Sequence, residues 1–169
     1  MEIQTLRAAQ MKMNFILNGE DVSVDAGMEK RLVDILREDF GLLETKSGCH
    51  SGYCGYCSVI FNGNVVKSCL IPAFKIQGSE IITIEGFSQT DEYQDIIQGF
   101  SKVKLESCGF CSAGKILATE ALLSRNNLPS NSDILFAFSG IRCRCTVPGE
   151  LVQGVIAASE LRRRRLYAR

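Results

Sequence analysis

Apolar and polar positions alternate from Met13 to Leu17, break at Asn18-Gly19, and resume with Val22 and Val24. A two-residue period on both sides of Asn-Gly predicts a β-hairpin, because that dipeptide accepts the positive φ angles of a tight turn. Met28, Leu32, Ile35, Leu36 and Phe40 share one helical face, which predicts a helix of about ten residues with Gly41 as its C-terminal cap. A Gly- and Cys-rich loop follows. Ser58-Val-Ile-Phe61 and Val65-Val-Lys67 then flank Asn62-Gly63, a second hairpin, and Ile81 to Glu85 predicts one more strand. Strand, strand, helix, strand, strand and a closing strand together predict an α+β unit in which a small mixed sheet covers one helix.

Beyond Gln89 the period changes to that of helices. Asp91 to Lys104 predicts a helix with a weak apolar face, whereas Gly114, Leu117, Ala118, Ala121 and Leu122 recur at clear helical spacing. Asn126-Asn-Leu-Pro-Ser130 interrupts the pattern. Ser132 to Ser139 predicts a short helix capped by Ser130 or Ser132 and ending at Gly140. Pro148 suits the first turn of a last helix, Glu150 to Leu161. A boundary near residues 87–91 separates a β-rich unit from a helical one.

Composition narrows the function. The 169 residues are 46% hydrophobic and 22% charged, with 19 Lys+Arg balancing 19 Asp+Glu. This balance gives no electrostatic reason for nucleic acid or an anionic membrane as partner. No apolar run approaches the roughly 18–20 residues of a membrane span. The single histidine, His50, argues against His-rich metal hydrolases and most triad hydrolases. Eight cysteines remain to be explained. The start, Met1 to Asn14, lacks a basic segment followed by an apolar stretch, so a cytoplasmic, reduced protein is expected and metal ligation leads over disulfides.

The cysteines fall into two sets of four. Cys49, Cys54 and Cys57 with the distant Cys69 have the C-x4-C-x2-C spacing of plant-type [2Fe–2S] ferredoxins. Gly48, Gly52 and Gly55 interleave with them, letting the backbone wrap closely and aim N–H groups at sulfur. A structural zinc site more often shows two short C-x2-C knuckles. The second set, Cys108-Gly-Phe-Cys111 and Cys143-Arg-Cys145, supplies four thiolates from two close pairs. Taken alone it leaves zinc open, but a redox cluster next door gives a second cluster a purpose. His50 reads most simply as a solvated loop residue. Arg142 and Arg144 either offset cluster charge or contact an anionic cofactor, and Arg162 to Arg165 reads as a solvated basic tail.

These residues carry a resemblance. Lys46-Ser-Gly-Cys-His-Ser-Gly-Tyr-Cys-Gly-Tyr-Cys57, Ser68-Cys69, Ser107-Cys-Gly-Phe-Cys111 and Cys143-Arg-Cys145-Thr146 resemble the small iron–sulfur subunit of the molybdenum hydroxylases, the xanthine dehydrogenase, aldehyde oxidase and carbon monoxide dehydrogenase family. The likeness spans about residues 12–160. It implies a β-grasp plant-type ferredoxin domain over 12–88, holding one [2Fe–2S] cluster on Cys49, Cys54, Cys57 and Cys69. A four-helix-bundle domain over 89–161 is implied to hold a second on Cys108, Cys111, Cys143 and Cys145. The implied role is electron transfer from a molybdopterin-binding large subunit, through the second cluster and then the first, to an FAD-binding medium subunit. No catalytic residue is expected in this chain. A purine such as xanthine is favoured as substrate on family frequency, with aldehyde, nicotinate or carbon monoxide as alternatives, and a free-standing ferredoxin-like carrier or a zinc-stabilised adaptor as rivals. The pattern departs from the family at Ser107, where Gln is usual, at Ser112-Ala-Gly114 in place of Thr-Pro-Gly, and at Thr146-Val-Pro-Gly149 in place of Thr-Gly-Tyr. The departures lie on the side expected to face the pterin, which reads as a diverged docking surface.

Overall fold

The computed structural model describes residues 10–105 and 107–167. Most of the stretch read as lacking a secretory leader lies outside the described residues. Strands β1 (Gln10–Leu17) and β2 (Glu20–Gly27) form the first hairpin and β3 (Ser58–Phe61) and β4 (Asn64–Lys67) the second. Both turns have positive φ at each Asn and Gly, at Asn18-Gly19 and at Asn62-Gly63, the geometry that Asn-Gly predicts. With β5 (Glu80–Ile82) they make one mixed sheet of order β2-β1-β5-β3-β4, in which β5 runs parallel to β1 and antiparallel to β3.

The sheet is covered on two sides, and its alternation shows how. Val59 and Ile81 point into a core with Met13, Phe15, Leu17, Leu32, Ile35 and Leu36, while their neighbours Ile60 and Ile82 pack against the helical half. The first helix is shorter than expected. Leu32–Asp34 (α1) continues into a π-helical turn, Ile35–Asp39, and Met28 stays outside it, exposed. Gly41 takes φ +66° after this turn, as the C-cap reading expects. The expected strand over Ile81 to Glu85 ends at Ile82. The Asn18 side chain accepts from the Thr83 N–H at 2.8 Å, and Ile84–Phe87 coils into a helical turn (α2) instead.

Four longer helices complete the chain: α3 (Asp91–Lys102), α4 (Ser112–Leu123), α5 (Asn131–Phe138) and α6 (Pro148–Tyr167). Thr90 caps α3 by accepting from the Tyr93 N–H, and Ser130 with Asp133 forms a reciprocal capping box on α5. The apolar face of α3 is stronger than expected: Ile96 and Phe100 are buried in the core with Tyr93 and Ile97 packed against it, and Gly99 abuts the Ala158 backbone, so α3 and α6 approach closely. Helix α4 is buried almost all round and is the centre of this half. The last helix runs six residues past the predicted end. That extension corrects the reading of the basic run as a solvated tail, because helical spacing turns two of its four arginines inward. Arg162 pairs with Glu120 and Asp95, and Arg165 with Asp91, Glu92 and Asp95. Among the described residues, no helix is long and apolar enough to cross a membrane.

Candidate metal centres

The first cysteine set sits at the end of the sheet next to α1. Cys49, Cys54 and Cys57 come from the loop before β3, and Cys69 from a 3-10 turn, Ser68–Leu70, directly after β4. The Ser68 N–H and hydroxyl both donate to the Cys57 carbonyl, at 3.0 and 2.7 Å, which ties the distant fourth cysteine to the loop. Val33 of α1 packs against Cys57 and Cys69 from behind. The backbone N–H groups of Ser51 and Cys54 donate to Cys49 Sγ at 3.5 and 3.3 Å. These bonds, led by the Ser51 side chain, draw the Cys49 thiol down to about 6, while burial pushes Cys69 up to about 11. The expected glycine function is visible at Gly48, where a Cβ would stand 3.0 Å from Cys54 Sγ.

The second set brackets α4. Cys108 and Cys111 precede it, Cys111 being its N-cap, and Cys143 and Cys145 lie in the loop between α5 and α6. Cys111 Sγ is 3.7 Å from Cys108 Sγ and 3.4 Å from Cys143 Sγ, and the Cys145 N–H donates to Cys143 Sγ at 3.3 Å. The Cys111 N–H leads a group of donors that draws Cys108 down to about 7. Burial pushes Cys111 up to about 12. Burial also acts upward on Cys143, but the Cys145 N–H, the Lys115 ammonium and other donors outweigh it and bring this thiol to about 6.

All eight cysteines are free thiols, and the fold brings each set of four to one place. The donors fit the binuclear group: four thiols per set, sulfur-directed N–H groups, and a glycine backbone close to sulfur.

The two sets meet through backbone. The Arg142 N–H, one residue before Cys143, donates to the Cys54 carbonyl at 2.9 Å. Gly55 and Gly114 make room for this: a Cβ at Gly55 would stand 2.5 Å from the Gly140 carbonyl oxygen, and one at Gly114 would stand 2.6 Å from the Gly55 carbonyl oxygen. The Arg142 guanidinium lies 4.2 Å from the Tyr53 ring centre, and Tyr56 meets Phe110 at 6.1 Å between ring centres. Each of these pairs joins one cysteine loop to the other.

Two family models match the chain in succession: "2Fe-2S iron-sulfur cluster binding domain" over residues 15–81 and "[2Fe-2S] binding domain" over residues 83–156. The nicotinate dehydrogenase small FeS subunit of Eubacterium barkeri is 43% identical over 137 residues, covering 81% of this chain and 87% of that one. The chain belongs to the family of small iron–sulfur subunits of the molybdenum hydroxylases. A probable xanthine dehydrogenase subunit of Bacillus subtilis is 35% identical over 137 residues, covering 81% and 79%, and aldehyde oxidoreductases are relatives too. In the crystal structure of quinoline 2-oxidoreductase from Pseudomonas putida 86, one chain superposes with a TM-score of 0.80 at 32% identity, covering 91% of this chain and 97% of that one.

Several residues at the site of this family member are not legible in its sequence. His50 is exposed, as expected, but tethered: its ring nitrogens meet Arg31 Nη1 at 2.9 Å and Ser47 Oγ at 2.7 Å. Arg142 contributes its backbone to the contact between the loops and lays its guanidinium on Tyr53. Lys115 reads in sequence as one residue of an apolar helix, yet it is 1% exposed and donates to the Thr146 hydroxyl beside Cys143. A lysine four residues after a candidate ligand, in a run otherwise apolar, is the available signal.

Proposed function

We propose that Cys49, Cys54, Cys57 and Cys69 hold one [2Fe–2S] cluster, that Cys108, Cys111, Cys143 and Cys145 hold a second, and that the chain links a molybdopterin-binding large subunit to an FAD-binding medium subunit. In this reading residues 12–88 are the β-grasp ferredoxin domain, and residues 89–161 are the second domain, a four-helix bundle of α3 to α6. When bound, the clusters supply one-electron transfer, so that a two-electron oxidation at molybdenum reaches FAD in single steps, by way of the second cluster and then the first.

The observation that carries the reading is the direct bond between the two cysteine loops, Arg142 N–H to Cys54 carbonyl, between glycines that keep the backbones in contact. Two unrelated structural metal sites have no need of it. Arrangement of the rims supports the bridging role. Cys49 is exposed beside exposed Tyr53 and Leu70, and Cys108 and Cys145 are exposed beside Phe110 and Val147. Apolar side chains around an open thiol suit a covering partner. A reducing, cytoplasmic location belongs to the same reading, supported by eight free thiols.

For the substrate, decided on another subunit, we favour nicotinate or a related nitrogen heteroaromatic acid, supported by the 43% identity to a nicotinate dehydrogenase subunit. Xanthine, favoured from family frequency, stands as the second reading, supported by the 35% identity to the Bacillus subtilis protein. Purifying the chain with its native partners tests all of this. About four irons per chain, a flavoprotein and a pterin-containing large subunit are expected, with activity on nicotinate exceeding that on xanthine and aldehydes. Colourless, zinc-loaded protein would overturn the iron–sulfur reading. A chain that purifies alone with both clusters and reduces several enzymes would favour a free-standing carrier.

A further inference from the structure

Lys115 breaks two local rules at once. It occupies the first turn and a half of α4, where the positive end of a helix disfavours cations. It is also the largest fully buried side chain described, and a buried ammonium without an anion is costly. Among the described residues, it forms no ion pair with a carboxylate; its hydrogen-bond acceptor is the neutral Thr146 hydroxyl, itself 3.7 Å from Cys143 Sγ. Among the described residues, the groups that can carry negative charge and feel Lys115 include the thiols of Cys111, one helical turn before it, and Cys143 across the loop. A residue that opposes both helix and burial preferences marks a site where another requirement rules.

We propose that Lys115 is the built-in counter-charge of the second cluster and holds its reduction potential up. The inference rests on the reading that Cys108, Cys111, Cys143 and Cys145 are the ligands. Reduction adds one electron, delivered from the molybdenum side, and makes or breaks no bond at Lys115. The added negative charge falls beside a fixed cation in a poorly solvated site, where the attraction is strong, and charge next to a cluster is one of the terms that set its potential. The first cluster has its own cation, the half-buried Lys67 beside Cys54, Cys57 and Cys69, so loss of Lys115 falls on the second.

The test is a redox titration of the full chain carrying both clusters, followed by electron paramagnetic resonance, in wild type and in K115M, K115Q and K115R. In K115M and K115Q the reduced-to-oxidised ratio of the second cluster at a given potential should fall about tenfold, which is 59 mV for a one-electron couple. The first cluster should not move and K115R should stay near wild type. An unmoved second potential in both uncharged variants with full iron content, or an equal shift of both clusters, overturns the assignment. If both uncharged variants lose the second cluster while K115R keeps it, the counter-charge is upheld as a condition of assembly. Loss in all three variants shows packing alone and overturns it. Failure of the ligand reading is distinguishable, because wild type itself would then lack about four irons or one of two signals.

Discussion

Gly55 lies where the two cysteine loops touch, and Gly55→Ala tests whether that contact holds the halves together. The residue has φ +78°, and a Cβ there would meet the Gly140 carbonyl oxygen at 2.5 Å and the Ile141 Cα and Cγ1 at 3.0 Å. Two costs follow. The left-handed conformation costs an L-residue about 1–2 kcal/mol. The collision is with backbone, which cannot rotate away, so relief needs a movement approaching an ångström, and overpacking of that kind costs about 1–3 kcal/mol. The sum is about 2–5 kcal/mol. Gly63 is the internal ruler: its φ is +75°, and a Cβ there meets nothing within 4 Å. Gly63→Ala therefore carries the conformational cost alone. At about 2–4 °C per kcal/mol for a chain of this size, Gly63→Ala should lower the apparent unfolding midpoint by about 2–8 °C, and Gly55→Ala by a further 2–12 °C or so. Circular dichroism of the iron-loaded protein measures both, and magnetic coupling between the clusters, read by electron paramagnetic resonance, should weaken only in Gly55→Ala. Equal midpoints for the two variants, with unchanged coupling, refute the contact as a determinant of either stability or cluster spacing.

Three further outcomes are expected. Glu120→Ala removes the hydrogen-bonded carboxylate of the buried Arg162 and leaves it the longer contact to Asp95 as its ion pair. It should cost about 1.5–3 kcal/mol, the loss of a hydrogen bond to a charged group, read as a fall in unfolding midpoint that Glu120→Gln partly restores. Ser130→Ala removes the capping box of α5 and should cost about 1 kcal/mol in the same assay. In the iron-free, reduced chain at neutral pH, iodoacetamide should alkylate the exposed Cys49 and Cys108, with thiols drawn down to about 6 and 7, well before the buried Cys69 and Cys111, pushed up to about 11 and 12. The thiolate is the reacting form, so labelling of Cys49 should level off above neutral pH while that of Cys69 keeps rising. Peptide mass spectrometry follows the order, and uniform labelling would contradict it.

Features read from local pattern are legible where one local force governs. The Asn-Gly turns and the capping of α5 depend on a few adjacent atoms, and the structure repeats them. The close cysteine groups, Cys49-Cys54-Cys57, Cys108-Cys111 and Cys143-Cys145, are legible because each lies within one loop. What stays hidden depends on partners distant in sequence. Nothing around Thr83 says that Asn18 will take its N–H and end β5. Likewise, four arginines in a row resemble a tail until the helix continues and sets Arg162 and Arg165 against Asp95, about seventy residues earlier. Lys115 is hidden for the same reason, since helical periodicity scores it as an interruption and only the third dimension shows what it faces.

The burial of the thiols bears on whether the chain is a bridge or a carrier. Cys54, Cys57 and Cys69 of one set and Cys111 of the other are buried, and Cys54 meets the other loop through backbone flanked by glycine. Cys49 of the first set, and Cys108 with Cys145 of the second, are exposed. In the proposed function, transfer between the two sets would run within this chain, whereas transfer into and out of it would use two separate openings. A free-standing shuttle needs one such opening, used by turns for donor and acceptor. Exposed thiols in both sets, each edged with exposed apolar side chains, support the proposed chain held between two partners at once.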